Sequence, residues 1–225
     1  MINIAIVLPT FNEEKRIGKV LSDLKLLKLP VFVVNDGSKD NTLNFLESYS
    51  KRNKFINLYS HRINLGKGAA IRTGCEAAFS EGYEAIIMMD SDGQHSVSDI
   101  EKFIEKLNQK KYDVILGSRN LDHGVPLVRY LGNKFASVLI SLLFGIYVSD
   151  ILSGFRAITK KAFNKLKLES SGYGIETEII VKIAKHKLKV CEVPVQTIYF
   201  DKNKGVTILD SAGILLDVFR WRIYL

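Results

Sequence analysis

Asp90 and Asp92 stand one residue apart, directly after the apolar run Ala85-Ile86-Ile87-Met88-Met89, and Gln94 follows two positions later. Alternate residues at a strand end point the same way, so the two carboxylates can face one small target. Hard oxygen donors with a neutral amide suit Mg²⁺ or Mn²⁺. Such an ion takes one or two carboxylates and completes its shell with phosphate oxygens and water. The spacing therefore reads as a holder for a metal–diphosphate. The competing reading is a polar β-turn, in which Asp, Ser and Gly are also common.

The elements around this segment decide where it would sit. Ile2 to Leu8 is an apolar run ending in Pro9-Thr10-Phe11-Asn12-Glu13-Glu14, followed by a helix with Ile17, Val20, Leu21 and Leu24 on one face. Val31 to Val34 reads as a second strand closed by Asn35-Asp36-Gly37-Ser38, with Asp40 as the N-cap of the next helix. Ile56 to Tyr59 is a third strand, and Asn64-Leu65-Gly66-Lys67-Gly68 leads into a helix from about Ala69 to Ser80. The strand before Asp90 comes fourth, Ser98-Asp99-Ile100-Glu101 reads as a capping box, and Val114 to Leu116 is a fifth strand. Strands alternating with amphipathic helices predict an α/β fold with a doubly wound, mostly parallel sheet. Three strand ends then carry Glu13, Asp36 and the Asp90/Asp92 pair. Ligands of such sheets bind outside the carboxyl ends of the strands, and a crevice lined by acids suits the ribose of a nucleotide.

Taken in order, these segments resemble a known family. Pro9-Thr10-Phe11-Asn12-Glu13, Asn35-Asp36-Gly37-Ser38, Asn64-Leu65-Gly66-Lys67-Gly68 and Asp90-Ser91-Asp92-Gly93-Gln94-His95 are similar to motifs of the family-2 inverting glycosyltransferases. Gly117-Ser118-Arg119, Arg129 to Asn133, Asp150 to Arg156 and Glu192-Val193-Pro194-Val195 continue the match over roughly residues 2–200. The nearest likeness is to the polyprenyl-phosphate branch, typified by dolichol-phosphate mannosyltransferase.

The resemblance implies a GT-A type fold, with a hexose moving from a nucleotide-diphosphate sugar of the GDP-mannose or UDP-glucose type to a polyprenyl or dolichyl phosphate. It implies donor contacts from Pro9, Phe11, Glu13, Asp36, Asp90 and Ser91. Asp90, Asp92 and Gln94 would be metal ligands, and Asp92, Arg119 and Arg129 the catalytic set, with both arginines meeting phosphate. Where the mannosyltransferase branch has a basic residue soon after the step that here reads Gly172-Tyr173-Gly174, this chain departs from the pattern. After the Pro194 strand, the branch's Arg is replaced by Lys202 and Lys204, of which Lys202 is the candidate donor contact.

The chemistry explains why these parts suffice. A lipid monophosphate is largely ionised near neutral pH, its second pKa lying at about 6, so it needs no general base to attack the anomeric carbon. Departure of the nucleoside diphosphate is the difficult part, and a metal stabilises that charge as a Lewis acid. Arginine grips phosphate through two parallel hydrogen bonds, which favours Arg119 and Arg129 over the scattered lysines. Arg156 and Asp150 read equally as a structural ion pair or as catalytic groups.

Composition sets limits. Among 225 residues, 32 basic against 24 acidic side chains give a net charge of +8, which suits an anionic partner. No aromatic–basic cluster or nucleic-acid motif accompanies it, so DNA or RNA is not expected. Cys75 and Cys191 are too few for a disulfide framework or a zinc site, which fits a reducing cytoplasm. His61, His95, His123 and His186 lack metal-ligand spacing; His95, beside the acidic loop, either touches the reacting groups or steadies the loop. Gly66-Lys67-Gly68 falls short of a phosphate-binding P-loop.

The chain length suits one catalytic domain over 1–205, with a nucleotide half of about 1–117 and an acceptor half of about 118–205, followed by an amphipathic helix over 206–225. The first strand begins at the N-terminus, so a signal peptide is not expected. Phe135 to Val148 is uncharged but shorter than the roughly 20 residues needed to span a bilayer. Ile208 to Leu225 mixes Phe219, Trp221 and Tyr224 with Arg220 and Arg222, as a helix lying among lipid headgroups does. The expectation is peripheral attachment to the cytoplasmic membrane face through these interfacial helices. The alternative packs both on the sheet or across a dimer seam, and a small membrane subunit is a further candidate partner. A family-2 enzyme with a saccharide acceptor, or a non-catalytic nucleotide-sugar-binding subunit, are the competing functional readings.

Overall fold

The first apolar run folds as β1 (Ile4–Thr10), a strand buried at every residue and therefore central in its sheet. Its side chains alternate between two cores: Ala5 and Val7 face one, Ile4, Ile6 and Leu8 the other. The computed structural model describes residues 2–119, 127–196 and 208–224, with residues 127–130, 208–212, 214, 215 and 224 described by backbone alone. The next three strands in sequence order are β2 (Val31–Asp36) and β3 (Ile56–His61) on one side of β1 and β4 (Ala85–Met88) on the other, all parallel to β1. The crossovers are α1 (Ile17–Lys25), α2 (Thr42–Arg52) and α3 (Lys67–Ser80).

The second half contains α4 (Ile100–Asn108), β5 (Val114–Arg119), α5 (Leu127–Phe144), β6 (Arg156–Thr159), α6 (Lys160–Leu166), α7 (Ile175–Lys185), β7 (Val190–Val195) and α8 (Ile208–Tyr224). The strand order is β3-β2-β1-β4-β6-β5-β7, with only β6 antiparallel to its neighbours. The sheet is the mostly parallel one that the strand–helix alternation predicts. Helices α1, α2 and α4 cover one face, while α3, α5, α6, α7 and α8 supply buried side chains to the core on the other.

Two features of this order position the site. β1 lies between β2 and β4, so the chain's winding changes direction there and leaves a crevice at the carboxyl ends of β1 and β4. Ser91 Oγ donates to the Pro9 carbonyl at 2.9 Å, tying the two strand ends together. Antiparallel β6 then enters from that same edge, pairing Arg156 with Met88 and with Leu116. Its incoming loop, 150–155, is thereby delivered to the strand end that carries Asp90.

Local expectations were met unevenly. The third helix begins at Lys67 rather than Ala69. Asp40 precedes α2 by two residues and accepts from Thr42 N at 3.0 Å. The capping box at Ser98–Glu101 does not form. Val97–Asp99 is a 3₁₀ turn, and Asp99 instead accepts from Lys102 Nζ at 2.6 Å and from Gln196 N at 2.6 Å. Asp99 therefore anchors the end of β7, a long-range bond that outweighs a local cap.

Candidate active site

Asp90 follows β4 at the crevice, and its carboxylate is held from both sides. Lys67 Nζ lies 2.6 Å from Oδ1, and His95 Nε2 lies 3.3 Å from Oδ2. Burial alone would raise this acid, but the Lys67 ammonium and His95 outweigh it and hold Asp90 well below the usual carboxylate range. Asp92 sits in the opposite situation. Burial first, and then the Asp90 charge, push its carboxyl above the ordinary value, although Gln94 N donates to Oδ1 at 2.9 Å. One ionised carboxylate beside another that resists ionisation is a site short of positive charge.

The donor set fits a divalent ion on that ground. Among the described residues no group of three His, Cys, Asp or Glu side chains could hold a metal. Asp90 and Asp92 would supply two oxygens, and an ion that also binds a diphosphate needs no more from the protein. Gln94 takes part in the turn through its backbone N–H, and its side chain is half-buried.

A second layer sits behind the pair. Lys67 Nζ also lies 2.7 Å from Glu176 Oε1 on α7. The guanidinium of Arg156, 2 % exposed, donates to the carbonyls of Ser153 at 2.8 Å, Glu176 at 2.6 Å and Ile151. Burial brings its pKa down to about 10, so it stays charged at neutral pH. The ion pair between Arg156 and Asp150, one of the two readings left open by the sequence, is therefore not what forms. Asp150 takes Arg119 instead, Nε at 2.6 Å and Nη2 at 2.9 Å, with Arg119 N at 3.2 Å. Arg156 sits deep enough to satisfy its N–H groups with carbonyls, whereas Arg119 at the end of β5 reaches the acid edge-on.

The β1 and β2 ends form the other wall. Asp36 is 2 % exposed, and its oxygens are already engaged by His61 Nδ1 at 2.7 Å, Leu65 N at 2.9 Å and Gly66 N at 2.8 Å. Expected among the nucleoside contacts, it also braces the loop that enters α3. Glu13 is buried, with its backbone N–H donating to Thr42 Oγ1 at 2.8 Å, and Arg16 lies 3.5 Å from its carboxylate. Asn12 adopts φ 54° and exchanges bonds with Ser38 and Lys39, which stitches this wall to the loop after β2. Pro9 ends in the crevice through β1, Ser91 is buried against it, and Phe11 stands exposed at the rim. The side chain of Arg129, and Lys202, Lys204 and His123 entirely, lie outside the described residues.

The sequence reading left out Lys67 as a site residue, and it left out Glu176, Glu178 and Gly154. A Cβ on Gly154 would lie 2.6 Å from Asp90 Oδ2, so only glycine lets this loop back onto the carboxylate. The Gly-Lys-Gly sequence at a helix start was the available signal for Lys67. Nothing local marked Glu176, which meets Lys67 from more than a hundred residues away in the chain.

A carboxylate pair stands at the switch point of such a sheet, backed by half-buried Lys67 and buried Arg156, and the sequence around it matches a known family across most of the chain. The model for glycosyl transferase family 2 matches residues 5–167. The chain belongs to that family. Among its relatives is a UDP-N-acetylglucosamine–dolichyl-phosphate N-acetylglucosaminyltransferase of Methanococcus voltae, 34% identical over 92% of this chain and 90% of the relative. A dolichyl-phosphate beta-glucosyltransferase of Trichomonas vaginalis is 31% identical over 98% of this chain and 73% of its own. Among solved structures, mannosyl-3-phosphoglycerate synthase from Rubrobacter xylanophilus superposes with a TM-score of 0.70 at 17% identity, covering 98% of this chain and 73% of that one. As a family-2 glycosyltransferase the chain is an enzyme with a GT-A fold.

Proposed function

We propose that this family-2 enzyme transfers a hexose from a nucleotide-diphosphate sugar to a polyprenyl phosphate, with Mg²⁺ or Mn²⁺ on the donor diphosphate. The observation that carries the proposal is the placement of Asp90 and Asp92 together just after β4, at the crevice between β1 and β4, with Lys67 Nζ 2.6 Å from Asp90 and Gln94 N 2.9 Å from Asp92. The relatives named for dolichyl-phosphate acceptors support the choice of acceptor.

Asp90 and Asp92 would hold the ion, with Gln94 as a further ligand, and the ion would supply Lewis-acid stabilisation of the departing diphosphate. Pro9, Phe11, Glu13 and Ser91 would border the nucleoside, and Lys202 would approach the donor. Asp36 would act on the nucleoside through the backbone of Leu65 and Gly66 that it holds. An acceptor phosphate oxygen forms the new bond to the anomeric carbon as the old bond to the nucleoside diphosphate breaks, and the leaving group takes the electron pair. The displacement inverts the anomeric centre. Arg129 is the proposed grip on the acceptor phosphate, and Arg119 stands at the end of β5 with its edge locked to Asp150.

Attachment to the cytoplasmic membrane face would use the outer helices. Leu131, Phe135, Val138 and Leu142 form one exposed apolar stripe along α5, and Leu216, Phe219 and Ile223 form another on α8 beside exposed Arg220 and Arg222. No helix among the described residues is long and apolar enough to cross a membrane. A panel of nucleotide sugars, each scored for its rise in melting temperature with Mn²⁺, tests the donor class. A rise with one base and not others identifies the donor; no rise with any would remove the nucleotide-sugar reading.

A further inference from the structure

Lys67 is a half-buried cation that the displacement itself does not need. Its backbone is fixed from two directions. Gly66 before it adopts φ 96°, and a Cβ there would lie 2.5 Å from the Ser171 carbonyl; one on Gly68 would overlap the Ser170 carbonyl. Ala69 N donates to the Ser171 carbonyl at 3.1 Å. The segment carrying these carbonyls is held in turn by Glu178 of α7, which accepts from Glu169 N at 2.8 Å, Ser170 N at 2.9 Å and Lys182 Nζ at 2.7 Å. Glu176, two residues earlier on the same helix, receives the Lys67 ammonium, and its carbonyl is gripped by Arg156. The helix that clamps the loop around Lys67 therefore also presents the acid that shares its charge.

We propose that Lys67 is a positioning residue that fixes Asp90 through Oδ1 and tempers the affinity of the Asp90/Asp92 pair for a divalent cation, with Glu176 drawing part of its charge away. The proposal rests on the reading that these two carboxylates hold the ion. An ammonium on Oδ1 fixes the turn of the carboxylate, whose Oδ2 also meets His95 Nε2 at 3.3 Å. It also offsets one unit of negative charge, so the ion is not held so tightly that it stays behind when the nucleoside diphosphate leaves.

The test titrates the full chain with Mn²⁺ alone and reads free Mn²⁺ by electron paramagnetic resonance, using the parent, Lys67→Met, Lys67→Arg, Glu176→Gln and Asp92→Asn. Lys67→Met should tighten binding by about tenfold, the scale expected when a unit charge beside the ion is removed. Glu176→Gln should weaken it several-fold, because Lys67 then bears on Asp90 alone, and Lys67→Arg should stay near the parent. A merely structural lysine would lower melting temperature without tightening the metal. Unchanged or weaker binding in a folded Lys67→Met overturns the proposal. If that variant does not fold, unchanged or tighter binding in Glu176→Gln overturns it, and weaker binding supports it. Loss of Mn²⁺ in Asp92→Asn with no response to Lys67→Met removes the role of Lys67 while leaving the metal site standing. A parent that binds no Mn²⁺ removes both.

Discussion

Gly154 backs onto the carboxylate of Asp90: a methyl group placed on it would lie 2.6 Å from Oδ2 and 2.9 Å from Oδ1. The neighbouring Phe155 ring packs against His95 at 4.9 Å and Phe103 at 4.5 Å between centroids, so the loop cannot retreat without disturbing the core. Asp90 would have to move instead. Gly154→Ala should therefore reduce transfer by roughly tenfold or more, the penalty typical of a misplaced reactive group, with a small change in melting temperature. Steady-state rates beside a thermal melt check this, and an active variant would show that Asp90 tolerates displacement.

The two acids should respond to neutralisation with opposite signs in metal-free protein. Asp90 is held low in the fold, so its charge stabilises the protein above the ordinary carboxylate range, and that contribution is lost as pH falls toward its depressed value. Asp92 is held high, so the folded state favours its proton, and that advantage is lost as pH rises through the raised value. At pH 7, Asp90→Asn should lower the melting temperature and Asp92→Asn should raise it by a few degrees. Below the ordinary carboxylate range, Asp92→Asn should melt with the parent. Saturating Mn²⁺ should stabilise the parent and not Asp92→Asn.

Asp36 offers a test of indirect action. Removing its carboxylate leaves the part-buried N–H groups of Leu65 and Gly66 without their acceptor, at a cost of about 1 kcal/mol each. Asp36→Ala should lower the melting temperature and raise KM for the donor, and its kcat should fall as well, because the same loop carries Lys67. A rise in KM alone, with the fold as stable as the parent, would indicate direct contact with the nucleoside instead.

The exposed stripes of α5 and α8 should bind anionic vesicles. Phe135→Glu with Leu142→Glu places two charges on the exposed α5 stripe and should sharply reduce co-sedimentation with phosphatidylglycerol vesicles while leaving the melting temperature close to the parent. Unaltered sedimentation would assign the stripe to another partner.

The sheet and one wall of the site could be read from the chain because their signals are local. Each apolar run of the first half, from Ile4 to Met88, is a strand, and each acid-bearing turn after it falls at the crevice. Asp90 and Asp92 announce themselves by spacing on a strand end. What escaped depends on distant segments. Strand β6 is only Arg156–Thr159, too short for a periodic pattern, yet its antiparallel entry brings Gly154 to Asp90. Arg156 and Asp150 look like a pair in sequence, but burial depth gives the acid to Arg119 and the guanidinium to three carbonyls. Glu176 meets Lys67 only through the packing of α7 against the start of α3.

The central claim is phosphate-dependent transfer to a lipid, and one assay addresses it directly. The enzyme is supplied with its stabilising nucleotide sugar, labelled in the hexose, together with a polyprenyl phosphate, the matching unphosphorylated polyprenol or a saccharide, each with Mn²⁺ or with chelator. The label should enter the organic phase only with the polyprenyl phosphate and Mn²⁺, as a sugar phosphate ester of inverted anomeric configuration. Transfer to the saccharide, to the polyprenol, or equally well in chelator would contradict the account.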